Sequence, residues 1–228
     1  MRCVTNEPLH TEPLQFSLFR IPFFLEPDYS HDPNFFESNH DRLIRKWGGV
    51  KEFNAQKHRH TLKERGKAAG IAHFNLQRTA SSTYLSHRLV QYVTKTYSIT
   101  ESEALYTELN YNHFVLGQKL NDMEMLLTSA SKTIKTFDRK AAQLYLQDTK
   151  AGTKELRQVQ LQLNELGIHS IPAFIIGGEF MMNGAADEKE FIKVFRDIEK
   201  DKKEMNGNLF GKTLGFSNKV LNDVLDVS

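Results

Sequence analysis

The chain holds a single thiol, Cys3. Dithiol–disulfide exchange needs an attacking thiolate and a second thiol to resolve the mixed disulfide, so one cysteine cannot turn over alone. It also excludes an internal disulfide framework. Ser170 stands before Ile171-Pro172, but no His-Asp constellation at recognisable spacing makes it a nucleophile. His58 and His60 are two apart on a helix pattern, so they do not share a face and do not suggest a metal site. Neither His-Glu-x-x-His nor paired cysteines support zinc. Gly177-Gly178-Glu179 lacks the Lys-Ser/Thr of a phosphate loop and joins a strand to a strand. His87-Arg88 reads as a helix-surface or packing pair, and Trp47 as a core anchor. No catalytic residue, metal ligand or cofactor is therefore expected.

The elements that would position a site are clearest from Gly167 to Phe180. A helix pattern ends at a glycine, and a short linker reaches Ile171-Pro172. The apolar run Ala173-Phe174-Ile175-Ile176 follows, and Gly177-Gly178 leads into Glu179-Phe180-Met181-Met182. Two short apolar runs joined by Gly-Gly predict a hairpin. Proline at the head of the first strand is tolerated, and is a natural place for a cis bond. An amphipathic helix is predicted from Glu188 to about Lys200. Upstream, Gln15–Phe24 is aromatic-rich and alternates at first, which predicts a strand. From Asp32 to about Gly167 the period is helical almost throughout. Segments start near Asp32, Val50, Ser81, Glu101, Asp122, Asp138 and Thr153, with Val50–Ala69 read as one charged helix. Residues 1–14 read as an irregular lead-in. After the charge run Asp201-Lys202-Lys203-Glu204, apolar residues from Phe210 to Leu225 form a weak amphipathic element that either docks or stays mobile.

Hydrophobic content is 39% and charged content 25%, ordinary for a globular chain. A net charge of +2 gives no argument for nucleic acid or membrane binding. No apolar stretch approaches a membrane span, and the first residues lack the apolar core of a signal peptide. With a single cysteine, the cytoplasm is the expected location.

The order helix, Pro loop, hairpin, final helix resembles the end of a thioredoxin fold. Within that superfamily the chain is similar to the DsbA-like group, and most to the FrnE-type dithiol oxidoreductases. The resemblance spans roughly Phe16 to Ile198. It is carried by Phe23-Phe24-Leu25-Glu26-Pro27-Asp28, Lys46-Trp47-Gly48, and Gly70-Ile71-Ala72-His73-Phe74 with Arg78. Ser82-Thr83 with Ser86-His87-Arg88-Leu89, Phe114-Val115-Leu116-Gly117 and Asn121-Asp122 complete it. It implies an α/β, thioredoxin-like fold with a large all-helical insertion: core at 15–28 and 165–200, insertion at 29–164, C-terminal extension at 201–228. It implies that Ile171-Pro172 is cis and that Ser170, Ile171 and Pro172 offer backbone groups to a thiol- or disulfide-containing peptide or a small thiol.

In the family a strand, a CxxC turn and a helix precede the strand placed here at Gln15–Phe24. These need about thirty residues, and the fourteen before Gln15 carry no such pattern. The core is therefore expected to be incomplete, with three strands at most and Phe19, Ile21, Phe23, Phe174 and Ile176 partly exposed. No helix start is expected near Cys3. Three functions follow: an oxidoreductase-family member without redox turnover as written, a non-catalytic peptide- or partner-binding module using the Pro172 groove, and a relative of kappa-type glutathione transferases or 2-hydroxychromene-2-carboxylate isomerases. The oligomeric state is left open.

Overall fold

A computed structural model describes residues 1–57, 59, 61–68, 70–71, 73–201 and 208–226. In chain order the described residues form α1 (Arg2–Asn6), β1 (Glu37–Ser38), α2 (Asn39–Trp47), α3 (Val50–Lys57), α4 (Leu62–Ala68), β2 (Thr79–Ala80), α5 (Tyr84–Thr96) and α6 (Ile99–Phe114). Then come α7 (Met123–Thr133), α8 (Arg139–Gln147), α9 (Thr153–Glu165), β3 (Ala173–Ile176), β4 (Phe180–Asn183), α10 (Glu188–Asp201), α11 (Gly211–Leu214) and α12 (Asn218–Leu221). Several helices start where a side chain satisfies free N–H groups. Ser38 accepts from Asp41 N–H, Asp122 from Glu124 and Met125, and Asp138 from Ala141.

The chain divides into two compact units. The first comprises Met1–Leu25, Gln91–Ser102 and Thr149–Ser228. Its core is Val159, Leu163 and Ile168 from α9 and the turn after it, with Phe210, Leu214, Phe216 and Val220 from the C-terminal segment. Phe19, Ile21, Phe23, Ala173 and Ile175 pack against this cluster. β3 and β4 form an antiparallel ladder in the register Ala173↔Asn183 to Ile176↔Phe180.

The strand expected at Gln15–Phe24 is absent: no ladder forms there. Three of its carbonyls each accept a bond from a distant residue instead. Leu225 N–H donates to Phe16 O at 2.7 Å, the Gln91 amide to Arg20 O at 2.7 Å, and the Gln160 amide to Pro22 O at 2.8 Å. Alternating apolar residues record which side chains are covered, not whether a second strand lies alongside. The cover comes partly from the C-terminal segment, with the Phe19 and Phe216 rings 5.2 Å apart. Phe19, Ile21, Phe23, Phe174 and Ile176 remain partly exposed.

The second unit comprises Glu26–Val90 and Glu103–Asp148. Leu89, Leu105, Leu126, Leu127, Ile134 and Ala142 are fully buried in it. β1 and β2 form an antiparallel two-residue ladder, Glu37↔Ala80 and Ser38↔Thr79, inside the region expected to be an all-helical insertion. That ladder brings the described strands to four in two separate sheets, against three expected. Two-residue strands are too short to imprint a period on sequence. The stretch Val50–Ala69 forms two helices, α3 and α4, rather than one. His58, His60, Ala69 and Ala72 lie outside the described residues, as does the run from Lys202 to Gly207.

Candidate functional site

The loop between α9 and β3 holds the three residues singled out by sequence. Ile168 turns inward and is buried, its N–H donating to Leu163 O at 2.9 Å. His169, Ser170, Ile171 and Pro172 then stand in solvent, with Ile171 48% exposed. The Ile171–Pro172 peptide is cis. The Pro172 carbonyl accepts from Gly184 N–H at 2.8 Å, which ties the loop to the end of β4. Among the described residues, no hydrogen bond reaches the backbone N–H or C=O of Ser170 or Ile171. These groups sit at the head of the β3–β4 ladder. Its turn is closed by Glu179 N–H to Ile176 O at 3.2 Å, with Gly177 at φ 61° and Gly178 at φ 76°. Two consecutive residues of positive φ are what a type I′ turn demands, and glycine meets that demand without strain.

At the far end of α10, Glu199 is 3% exposed and binds the N-terminal segment. Its carboxylate accepts from Leu9 N–H at 2.6 Å and pairs with Arg196 at 2.7 Å, while its carbonyl meets His10 Nε2 at 3.1 Å. Burial pushes its carboxyl upward, but the Arg196 and Leu9 bonds outweigh that and hold it below the usual range. The segment so held contains α1, where Val4 is fully buried and Cys3 is exposed. Cys3 thus lies in the first turn of a helix, contrary to the expectation of no helix start near it. The helix has five residues and leaves the thiol without a second cysteine.

The second unit carries its own charged groups. Glu26 receives Arg42 at 2.7 Å, Lys46 at 2.8 Å and Arg45 at 3.2 Å, and Arg45 also pairs with Glu37 at 2.7 Å. Burial pushes the Glu26 carboxyl up, yet these cations together hold it below its ordinary value. Tyr29 hydroxyl donates to Glu37, and its ionisation is pushed upward by burial and that carboxylate. Arg88 is 2% exposed and donates to the carbonyls of Tyr145, Leu146 and Asp148 at 2.7, 3.0 and 2.5 Å. Arg88 thereby closes the C-terminus of α8. Trp47 stacks on buried Phe53 with centroids 5.6 Å apart. A cleft of about 230 Å³ near Asn112, Ser129 and Lys132 is lined by groups that already pair with one another. No cluster of three metal-ligating side chains occurs among the described residues.

No protein-family model matches the chain, and no curated protein matches it. Its structure is similar to the crystal structure of a probable DsbA oxidoreductase from Streptomyces coelicolor. The TM-score is 0.66 at 22% identity, over 80% of this chain and 74% of that one. The fold is DsbA-like. This agrees with a helix-rich α/β, thioredoxin-like architecture with small sheets. In the DsbA-like fold, Ser170, Ile171 and Pro172 come together at the surface, and Cys3 belongs to a separate segment held by Glu199. Sequence reasoning missed Gln91, Gln160 and Glu199, polar residues on helices whose side chains bond to backbone outside any helix or strand. Their only signal is a polar residue in an otherwise apolar stripe. No helix among the described residues is long and apolar enough to cross a membrane.

Proposed function

We propose that this chain is a relative of the DsbA/FrnE-type thiol–disulfide oxidoreductases that performs no dithiol turnover as written and binds an extended peptide at the Ser170–Pro172 loop. The observation that carries the reading is the free backbone of Ser170 and Ile171 beside a surface hairpin. A peptide laid along it gains main-chain hydrogen bonds, and the exposed Ile171 side chain adds apolar contact. A thiol- or disulfide-containing segment is the partner class, and the cytoplasm is the location proposed. Chemistry follows from count: with one thiol, a mixed disulfide formed at Cys3 has no resolving sulfur in the chain. Among the described residues the first unit holds one ladder, β3–β4, beside this loop.

The purely non-catalytic reading draws on the same loop and differs in what cysteine would restore. Insulin reduction by the full chain, compared with Cys3→Ser, is expected to show no turnover in either. Turnover well above the variant overturns the absence of redox chemistry. Binding of extended cysteine-containing peptides is expected to weaken about tenfold in Ile171→Asp, the loss of one good apolar and hydrogen-bonded contact. Unchanged binding overturns the assignment of the loop.

A further inference from the structure

Arg78 sits where the loop before β2 meets the loop after α6. Its Cζ lies 5.4 Å from the Phe74 ring centroid and 5.1 Å from that of Phe114, and the two rings are themselves 5.4 Å apart. Its Nη1 donates to Asn75 O at 3.3 Å, a long bond. No carboxylate of a described residue pairs with it, whereas Arg42, Arg45 and Lys46 all find Glu26. Arg88 in the same unit satisfies its fork on three carbonyls. Arg78 carries five N–H donors, and among the described residues one of them bonds, to Asn75 O. Burial pushes its guanidinium down to about 10, and the charge of Arg42 adds to that shift. The rings offset part of the cost of a partly buried, unpaired cation, but an anion would offset more.

The surroundings are fixed and specific. Asn75 N–H donates to Phe114 O at 2.7 Å and Thr79 N–H to Gly117 O at 3.1 Å, so the two loops are stitched together. Leu76 and Leu116 project from these loops, 45% and 51% exposed. A half-buried cation whose two loops also carry exposed aliphatic side chains matches a ligand that carries charge and apolar bulk side by side.

We propose that Arg78 is the anion subsite of a binding site for an apolar carboxylate, that is, a carboxylate borne next to an aliphatic group, as at a peptide C-terminus or in a small fatty acid. The planar guanidinium fork matches a carboxylate in two parallel bonds. Leu76 and Leu116 would cover the aliphatic part. His113 reports on the event. Its Nδ1 donates to Gln118 O at 2.9 Å, and its protonation is opposed first by burial and then by the charges of Arg78 and Arg42. A carboxylate bound at Arg78 offsets one of those charges, so the His113 pKa rises on binding.

The test is titration of the full chain, followed by NMR of the His113 ring and the Arg78 Nε–H. The probes are N-acetylalanylleucine, its C-terminal amide, hexanoate and inorganic phosphate. A saturable shift with the free acid or hexanoate, an upward move of the His113 pKa and at least about tenfold weaker binding of the amide are expected. Tighter binding of the peptide acid assigns a peptide terminus, and tighter binding of hexanoate a small acid. Equal binding of acid and amide, phosphate binding tighter than either acid, or no saturable shift overturns the proposal. Arg78→Gln is expected to lose binding about tenfold or more. Leu116→Asp, at a solvent-facing position that leaves the core untouched, is expected to do the same by placing a competing carboxylate on the flank. Full affinity in Leu116→Asp also overturns it.

Discussion

Replacing Arg88 with methionine should be among the most damaging single changes in the second unit. The arginine is 2% exposed and its donors reach Tyr145 O at 2.7 Å, Leu146 O at 3.0 Å and Asp148 O at 2.5 Å. The last carbonyls of α8 have no intrahelical partner, so these bonds are their satisfaction. Methionine keeps much of the stem's volume but donates nothing. Each orphaned carbonyl costs about 1–3 kcal/mol if it stays dry. Against this, burying the guanidinium is itself costly, and the variant is spared that cost. Edge carbonyls near exposed Asp148 also regain water. Setting the gains against three losses leaves a net destabilisation of about 3–5 kcal/mol. Arg88→Lys keeps the charge but reaches fewer carbonyls, and should lose about 1–3 kcal/mol. Urea unfolding measured by far-UV circular dichroism reads both. The order wild type, Lys, Met is the signature of carbonyl capping. A methionine variant within 1 kcal/mol of wild type would refute it, showing that the carbonyls find water and that the stem alone matters.

Gly117→Ala should destabilise by about 1–3 kcal/mol, because φ is +81° and the new Cβ would stand 2.6 Å from Asn75 Nδ2, and thermal unfolding checks it. Glu26→Gln should cost about 1–3 kcal/mol, between an exposed and a fully buried ion pair, by leaving Arg42 and Lys46 without their shared anion. Since the folded Glu26 carboxyl is held below 4.5, its contribution is present above that pH and disappears as pH falls through the lower folded value. The stability gap between wild type and Glu26→Gln should therefore close in acid, and a gap that stays constant from pH 7 to pH 3 contradicts the pairing. Glu199→Ala should release the N-terminal segment, seen as faster proteolysis within residues 1–10, and the same release should appear in wild type as acid protonates the depressed Glu199 carboxyl.

How far the fold was legible depends on where each element finds its partners. Gly177-Gly178 fixed the hairpin because a tight turn is encoded in the residues that make it. The helices from α5 to α10 were legible because their hydrogen bonds are internal and their apolar stripes long. Gln15–Phe24 misled because a strand is defined by a neighbour, and here Gln91, Gln160 and Leu225 serve the backbone from distant parts of the sequence. The C-terminal segment was ambiguous because α11 and α12 have four residues each, too few for a period, although Phe210, Leu214, Phe216 and Val220 complete the first unit's core. Arg88 and Glu199 are buried charges, and composition places charges outside. The loop at Ser170–Pro172 was found by its proline. Arg78 is legible in sequence only as part of a pattern, because nothing there shows that its cation meets no carboxylate of a described residue.

The residues that carry the resemblance divide by task once their surroundings are known. Glu26 gathers Arg42, Arg45 and Lys46, and Gly48 ends α2 in the left-handed region. Asn121 donates to the carbonyls of Asp32 and Phe35 at 3.1 and 2.9 Å, and Asp122 caps α7. Arg88 closes α8. Each of these answers a backbone or charge that the fold would otherwise leave unsatisfied, so a chain can keep them all while its chemistry changes. They argue for architecture. Residues free to argue for function are those the fold does not consume: the backbone of Ser170 and Ile171, and the guanidinium of Arg78. Under the two binding proposals made above, these are the groups at which experiment should begin.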